Sequence, residues 1–273
     1  MRDPSKQSLP IARAVARILE RNSTAALATL VVAPAGVGLK LLVDELGQRT
    51  GGLGDAQLDE AAASYAQTFL DSRAEARTFK AEELPGSPEE LAGARVMFER
   101  IEPEPRLVIC GAGHVGASLA RLAHLIGYRA TLIDDRAAFV TRERFPEEDV
   151  ELVVAENWAD AVRACVRSGR GVAVAVVTRG HNEDEECMRA VMSAGPDYVG
   201  LIGSRRRTNI VLERLREAGA DESLLREVRA PIGLDIGAVS PQEVALSILA
   251  EIVMHRRGGT GAPLSAWRRG ARE

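Results

Sequence analysis

The sequence predicts an α/β fold in which a smaller α/β domain precedes a Rossmann-like, doubly wound parallel sheet. Three observations support this prediction. Residues 106–256 alternate between strand-like and helix-like segments, the strand-like segments are apolar throughout, and a glycine motif separates the first strand from the first helix. Apolar strands of this kind are typical of parallel sheets that helices cover on both faces. Regular alternation favours the doubly wound arrangement.

The first domain is predicted over residues 1–104. A chain of 273 residues exceeds one typical domain, and the stretch EPEPR (102–106) has the composition of a hinge. Apolar residues at helical spacing predict helices at 8–21 and 56–75. Strands are predicted at 25–33 and 94–101, and residues 38–55 are predicted to form a strand, a turn and then a glycine-rich loop.

The second domain is predicted over residues 105–273. Its strands are expected at 106–110, 129–134, 151–154, 172–177 and 198–202. Its helices are expected at 114–126, 157–167, 183–194, 204–218 and 241–256. The last helix has a clear start signal, because Ser240 is a good N-cap, Pro241 suits the first helical position and Glu243 completes a capping box.

The composition excludes several classes of protein. Hydrophobic residues make up 46% and charged residues 27% of the chain, with a net charge of -4 and a pI near 5.8. A nucleic-acid binder would carry a surplus of basic residues, which this chain lacks. No apolar run reaches the roughly 20 residues of a membrane span. The N-terminal segment is too charged for a signal peptide. We therefore expect a cytoplasmic protein that binds neither nucleic acid nor membranes.

The glycine motif GAGHVG matches GxGxxG in the required context, after the strand RLVIC and at the start of a helix. Gly111 suits the tight turn, Gly113 allows a pyrophosphate to approach the backbone, and Gly116 allows the helix to pack closely on the strand. His114, at the helix start, is placed to cap the helix or to touch a phosphate. The motif predicts a nucleotide site, unless its glycines serve only strand–helix packing.

Two acids end the second strand of this domain. Asp134 lies 18 residues after Gly116, close to the spacing at which an acid binds a ribose. With Asp135 beside it, this arrangement favours an unphosphorylated ribose. Arg136, the next residue, leaves a 2′-phosphate open as an alternative.

A polar loop, TRGHNED, follows the buried strand at 172–177. Its candidate site residues are Thr178, Arg179, Gly180, His181 and Asp184. Ligands bind beyond the carboxyl ends of strands in this class of fold, so the loop is a candidate for the site. His181 is a candidate acid/base that Asp184 would orient, although Asp184 also suits the first turn of a helix.

A second loop, GSRRR, carries candidate anion ligands at the start of a helix. These residues are Gly203, Ser204 and Arg205, followed by Arg206 and Arg207. Arginines at a helix N-terminus oppose the helix dipole, so a phosphate or carboxylate partner is expected. Salt bridges from Arg206 or Arg207 to Glu213 or Glu217 are the alternative.

A third loop, PIGLDIGA, contains one acid, Asp235, that no helix or strand pattern explains. We therefore treat Asp235 as a further candidate for the site.

The three cysteines include no CxxC pair, which suits a reducing compartment. His181, Asp184 and Cys187 are close in sequence, but three ligands without a fourth make a weak metal site. We therefore predict no resident metal.

The second domain resembles a known family in five of its motifs. VICGAGHVG, the DDR at 134–136, TRGH, YVGLIGS and PIGLDIGA.SPQEVALSILAEI match the XdhC/CoxI family in order and spacing across about 150 residues. The resemblance implies an accessory factor that binds the molybdenum cofactor, a pyranopterin, supports its sulfuration and delivers it to an apo-hydroxylase such as xanthine dehydrogenase. It also implies a homodimer, with a cysteine desulfurase as a further partner.

The first domain departs from the family at one loop. The family's glycine–cysteine loop appears here as GGLGDAQLDE (51–60), which has no cysteine. The departure argues against a thiolate-dependent hold on molybdenum or sulfur. Asp55 and Glu60 either take another polar role there or cap the helix that follows.

Two other functions remain open from the residues alone. The glycine motif with Asp134 also suits an NAD(P)-dependent oxidoreductase, and a nucleotide-sensing protein without chemistry would need the same fold.

Overall fold

The computed structural model describes residues 4–72, 74–167, 169 and 171–265. The chain forms two compact units, residues 1–103 and 104–273. No helix in the described residues is long and apolar enough to span a membrane.

The first unit is an antiparallel sheet with two helices. Its elements are α1 (Pro4–Glu20), β1 (Ala25–Val32), β2 (Lys40–Asp44), β3 (Arg49–Gly51), α2 (Ala56–Asp71), β4 (Ala76–Lys80) and β5 (Arg95–Ile101). The strand order is β3-β2-β1-β5-β4, with every neighbouring pair antiparallel. Sequence analysis missed β4, because only Phe79 of this edge strand is buried and no apolar pattern marks it.

The second unit is a five-stranded parallel sheet. Its elements are β6 (Arg106–Cys110), α3 (His114–Leu125), β7 (Arg129–Asp134), β8 (Glu151–Val154), α4 (Trp158–Val166), β9 (Val172–Val176), α5 (His181–Ala194), β10 (Tyr198–Leu201), α6 (Arg205–Glu217), α7 (Glu222–Glu227) and α8 (Pro241–Arg257). The strand order is β10-β9-β6-β7-β8, with every pair parallel. The predicted Rossmann-like fold is confirmed.

Helices cover both faces of this parallel sheet. One apolar core contains side chains of α3 and α8, and the other contains side chains of α4, α5 and α6. Both faces of each central strand are therefore buried, which explains the uniformly apolar strand sequences.

The chain enters the sheet at β6, builds β7 and β8 on one side, and then returns to build β9 and β10 on the other. The strand order therefore reverses between β6 and β9. In open α/β sheets, ligands bind outside the carboxyl ends of the strands at this reversal. The loops that follow β6 and β9 are the loops that sequence analysis selected.

Candidate functional site

The glycine loop after β6 is shaped by close backbone packing. Gly111 has a φ of +118°, and a Cβ atom there would lie 2.6 Å from the carbonyl oxygen of Val177, in the loop after β9. A Cβ atom on Gly116 would collide with the carbonyl oxygen of Gly111. The two loops therefore touch, and both glycines are required by the fold itself.

Gly113 has a different environment. It is the N-cap of α3, it provides no side-chain cap, and a Cβ atom there would meet nothing within 4 Å. Packing within the protein does not require this glycine. The open space leaves the first-turn amides of α3 accessible to an anion, and His114 is exposed beside them.

Asp134 is buried at the end of β7, with a side chain that is 1% exposed. Its Oδ2 accepts hydrogen bonds from the Ala112 amide at 2.7 Å and from Arg136 Nη2 at 2.9 Å. Its Oδ1 accepts from Arg136 Nε at 2.8 Å and from the Arg136 amide at 3.0 Å. Both oxygens are thus occupied by protein donors, so Asp134 braces the glycine loop and is closed to ribose hydroxyls in this conformation.

The pKa of Asp134 reflects these contacts. Burial by itself raises the pKa, but the hydrogen bonds from Arg136 and from the Ala112 amide outweigh it and lower the pKa to about 2. Asp134 is therefore ionised throughout the physiological range.

The neighbouring acid, Asp135, links β7 to the loop after β9. Arg179 donates to both of its carboxylate oxygens, at 2.7 Å and 2.8 Å, and Arg179 also lies 3.2 Å from Glu183. Asp135 is 29% exposed and Arg179 is 46% exposed, so this ion pair is open to solvent. It joins two predicted site residues across the edge of the sheet.

Asp184 is the buried centre of the loop after β9. Its side chain is 0% exposed and accepts a 2.5 Å hydrogen bond from Thr178 Oγ1. Arg207 donates to the other oxygen through Nε at 3.0 Å and Nη2 at 2.5 Å. Burial raises the pKa of Asp184, against the opposing effect of these hydrogen bonds. The pair ties the start of α6 to the start of α5.

This arrangement corrects two sequence-based interpretations. No hydrogen bond joins His181 to Asp184 in the described structure, where the Asp184 oxygens accept from Thr178 and Arg207 instead. His181 is exposed at the start of α5. Arg207 pairs with Asp184 rather than with an acid of its own helix.

The start of α6 presents unpaired positive charge. Gly203 has a φ of +148°, and Ser204 caps the helix by accepting a hydrogen bond from the Arg207 amide at 3.3 Å. Arg205 and Arg206 are exposed and form no ion pair with any residue that the structure describes. Glu213, the alternative partner, binds Arg216 at 2.8 Å.

Asp235 lies in the loop before α8. The Arg256 guanidinium, in the last turn of α8, lies 5.8 Å from the Tyr128 ring, just beyond α3. Since α3 and α8 share one core, their C-termini lie together and the two helices run in the same direction. Asp235 is therefore at the same edge of the sheet as His114, where it is exposed and makes no hydrogen bond with a described residue.

The three cysteines are free and buried. Hydrogen bonding with Cys110 and burial raise the pKa of Cys187, and burial raises the pKa of Cys165 to about 11. Within the described residues, no group of three His, Cys, Asp or Glu side chains could hold a metal ion. Because thiolates are the reactive form, none of these cysteines is suited to exchange sulfur with a partner.

We expect a disulfide reagent such as Ellman's reagent to leave all three thiols unmodified in the folded protein and to label all three in guanidinium chloride, because the reagent needs an accessible thiolate. An Ala138→Cys variant provides the positive control, since Ala138 is exposed. Rapid labelling of a native thiol in the folded protein would contradict the burial described here.

The acids of the cysteine-less loop in the first unit have structural roles. Asp55 is the N-cap of α2 and accepts from the amides of Gln57 and Leu58 at 2.9 Å and 2.8 Å. Asp59 accepts from the Leu53 amide at 2.5 Å. Glu60 pairs with Arg49 at 2.6 Å. The capping alternative for Asp55 is thus confirmed.

Comparison with known proteins agrees with this picture. A model of the XdhC Rossmann domain matches residues 107–252, and a model of the XdhC and CoxI family matches residues 18–80. The chain is also similar to a solved structure described as a xanthine dehydrogenase from Bacillus halodurans. The match covers 91% of this chain and 67% of the other chain, with a TM-score of 0.67 and 20% sequence identity. This similarity shows that the two chains share a fold.

Curated relatives share the same region. The chain is 32% identical over 166 residues to the molybdenum cofactor insertion chaperone PaoD of Escherichia coli, covering 61% of this chain and 44% of the relative. It is 32% identical over 162 residues to a probable xanthine dehydrogenase subunit of Bacillus subtilis, covering 59% and 46%. The uncharacterized protein YqeB of Escherichia coli is 34% identical over 174 residues, covering 63% and 31%.

The chain thus spans between 31% and 46% of the length of these relatives. The Rossmann-domain model covers more than half of the 273 residues, and it includes the glycine loop, both buried acids and the start of α6. The chain therefore belongs to the XdhC/CoxI family.

Proposed function

We propose that the chain binds the molybdenum cofactor as cargo at the carboxyl edge of its parallel sheet and assists insertion of the cofactor into a molybdenum hydroxylase of the xanthine dehydrogenase type. The observation that carries this proposal is the pair of exposed guanidinium groups at the start of α6, Arg205 and Arg206, which have no ion-pair partner among the described residues. Positive charge at a helix N-terminus is unfavourable without an anion. The relative named as a cofactor insertion chaperone supports the same role.

The cofactor has a phosphate end that fits this edge. The open first turn of α3 at Gly113 offers backbone donors, and Ser204 with Arg205 offers a second group of donors. The Arg207–Asp184 pair and the contact of Gly111 with Val177 hold these loops in fixed positions. Such preorganised donors suit a phosphate or a pyrophosphate, so the plain cofactor and its dinucleotide form are both compatible with this edge.

Sulfuration would depend on partners. The described thiols are buried, and the loop at 51–60 has no cysteine, so we propose that a cysteine desulfurase supplies sulfur while this chain holds the cofactor. The apo-hydroxylase is the receiving partner, and the working form is a homodimer in the cytoplasm.

An NAD(P)-dependent oxidoreductase has less support. Its acid/base pair would be His181 with Asp184, and Asp184 is occupied by Arg207 and Thr178. Its ribose ligand would be Asp134, which is occupied by Arg136 and the Ala112 amide.

The direct test is mass spectrometry of small molecules released by acid from the protein, produced in a molybdate-fed host that makes pyranopterin. We expect near-stoichiometric pterin. Release of a nicotinamide dinucleotide would instead favour the oxidoreductase or a nucleotide sensor, and turnover with NADH would distinguish these two.

Replacing Arg205 or Arg206 with Glu is expected to lower the amount of bound pterin about tenfold, because each substitution removes one charge-assisted hydrogen bond to a phosphate. Arg226→Glu is the matched control, because Arg226 is 77% exposed on α7, away from the sheet edge. Equal pterin content in all three variants would overturn a role for the start of α6 in binding the cofactor.

A further inference from the structure

We infer that the guanidinium plane of Arg136 is a stacking platform for the fused heterocyclic ring of the ligand, so that this edge recognises a planar ring and a phosphate rather than a ribose. The inference rests on the proposed function, because it names the part of the ligand that the carboxyl end of β7 recognises. It assigns Arg136 a role that differs from the 2′-phosphate contact that the sequence left open as an alternative.

The Arg136 side chain is fixed from two directions. Its Nε and Nη2 bind the two oxygens of Asp134 at 2.8 Å and 2.9 Å, which sets the plane of the guanidinium group. Its Cζ atom lies 3.6 Å from the centre of the Phe139 ring, so Phe139 supports one face of that plane. Arg144 also lies over the Phe139 ring, at 4.6 Å, and donates to the Phe139 carbonyl at 3.1 Å.

The fixed guanidinium lies directly beside the phosphate-binding loop. The same Asp134 oxygen that accepts from Arg136 Nη2 accepts from the Ala112 amide, between the first two glycines of the motif. One carboxylate therefore connects the two groups. A ligand with its phosphate at the glycine loop would place its next ring system near Arg136.

The remaining chemistry of Arg136 favours a ring over a charged group. Its charge is neutralised by Asp134, and two of its three guanidinium nitrogens are already donating. The side chain is still 34% exposed, and Phe139 covers only one of its faces. Arginine stacks well on aromatic rings, and a preorganised platform loses little entropy on binding.

Because of the same contacts, Asp134 cannot recognise the ribose of a nucleotide. Asp134 has no free oxygen to accept from ribose hydroxyls. A ligand whose ring is joined to its phosphate without a ribose is therefore expected to bind at least as well as a nucleotide.

The test compares three probes by calorimetry on the full chain freed of bound small molecules. Inorganic pyrophosphate has no ring, ADP adds a ribose and a purine, and 6-hydroxymethylpterin diphosphate adds a pterin without a ribose. We expect both ring-bearing probes to bind about tenfold more tightly than pyrophosphate, as one cation–π contact provides.

Arg136→Lys keeps a positive charge beside Asp134 but has no planar group, so it is expected to abolish the tenfold gain of the ring-bearing probes over pyrophosphate, with all three probes measured on the same variant. Phe139→Leu removes the support behind the platform and should reduce the gain while the ion pair stays intact. Arg142→Lys is the matched control on the same segment, because Arg142 is exposed and, among the described residues, donates only to the Glu147 carbonyl.

Two results would overturn the inference: ring-bearing probes that bind wild-type protein no better than pyrophosphate, or an Arg136→Lys variant that keeps the full gain. Either result leaves the proposed function standing if pterin is still released from the purified protein. Absence of released pterin, with a normal ring preference among the probes, would instead contradict the proposed function and retain the platform.

Discussion

Replacing Arg207 with methionine is expected to lower the free energy of unfolding by about 3 to 5 kcal/mol, because it leaves a fully buried carboxylate without its charged partner. Asp184 is 0% exposed, and Arg207 supplies two of its hydrogen bonds. The remaining donor, the Thr178 hydroxyl, cannot compensate for a buried negative charge.

The measurement is urea unfolding followed by tryptophan fluorescence. Trp158 is buried in α4 of the second unit, so a change in its fluorescence reports on that unit. Arg214→Met is the matched control, because Arg214 also joins α6 to α5, through a 3.3 Å pair with Glu185, but is 48% exposed. The control should lose less than about 1 kcal/mol. Equal losses in the two variants would refute a buried role for Arg207.

The pH dependence of the Arg207→Met variant provides a second check. Burial already raises the pKa of Asp184, and removal of Arg207 raises it further, so acidification should protonate Asp184 in the variant at a higher pH than in the wild-type protein. The deficit in stability should then shrink. A double Asp184→Leu and Arg207→Met variant should recover most of the loss, since buried pairs can be replaced by apolar side chains. A deficit independent of pH would indicate lost packing instead.

The strands of the second unit and the place of its glycine loop were predictable because their causes are local. A run such as VAVAV at Val172–Val176 is buried along its whole length, and only a strand covered on both faces has that composition. The glycine spacing reflects two steric limits, at Gly111 and Gly116, that hold wherever this turn occurs.

The partners of the polar groups were not predictable, because they depend on distant parts of the chain. Asp184 and Arg207 are separated by 23 residues and meet only because β9 and β10 are neighbours in the sheet. Sequence analysis selected Asp184 as an orienter of His181, and it offered Arg207 either an anionic ligand or, as the alternative, an acid on its own helix. The one available signal was the run of arginines at the start of α6, where a buried acid relieves the conflict with the helix dipole.

The partner of Asp134 was also not predictable, although it lies only two residues away. Its spacing from the glycines marks a ribose ligand in many dinucleotide-binding folds, and the neighbouring Arg136 was considered only as a separate contact to a phosphate. The structure joins the two residues through two side-chain hydrogen bonds. A pattern that records residue types cannot distinguish an acid that faces a ligand from one that faces its own neighbour.

Replacing Asp134 with asparagine is expected to lower the free energy of unfolding at pH 7 by about 2 kcal/mol. This is the free energy that corresponds to a pKa shift from 3.8 to about 2. The folded-state pKa is below the ordinary value, so this stabilisation is present above about pH 4 and is lost as the pH falls toward 2. The difference between wild type and variant should therefore be about half as large at pH 3. Asp160→Asn is the control, because Asp160 is 75% exposed in its pair with Arg163 and should change stability by less than about 1 kcal/mol. A constant difference between pH 7 and pH 3 would show that lost packing, rather than the charge that braces the glycine loop, stabilises the β7 end of the sheet.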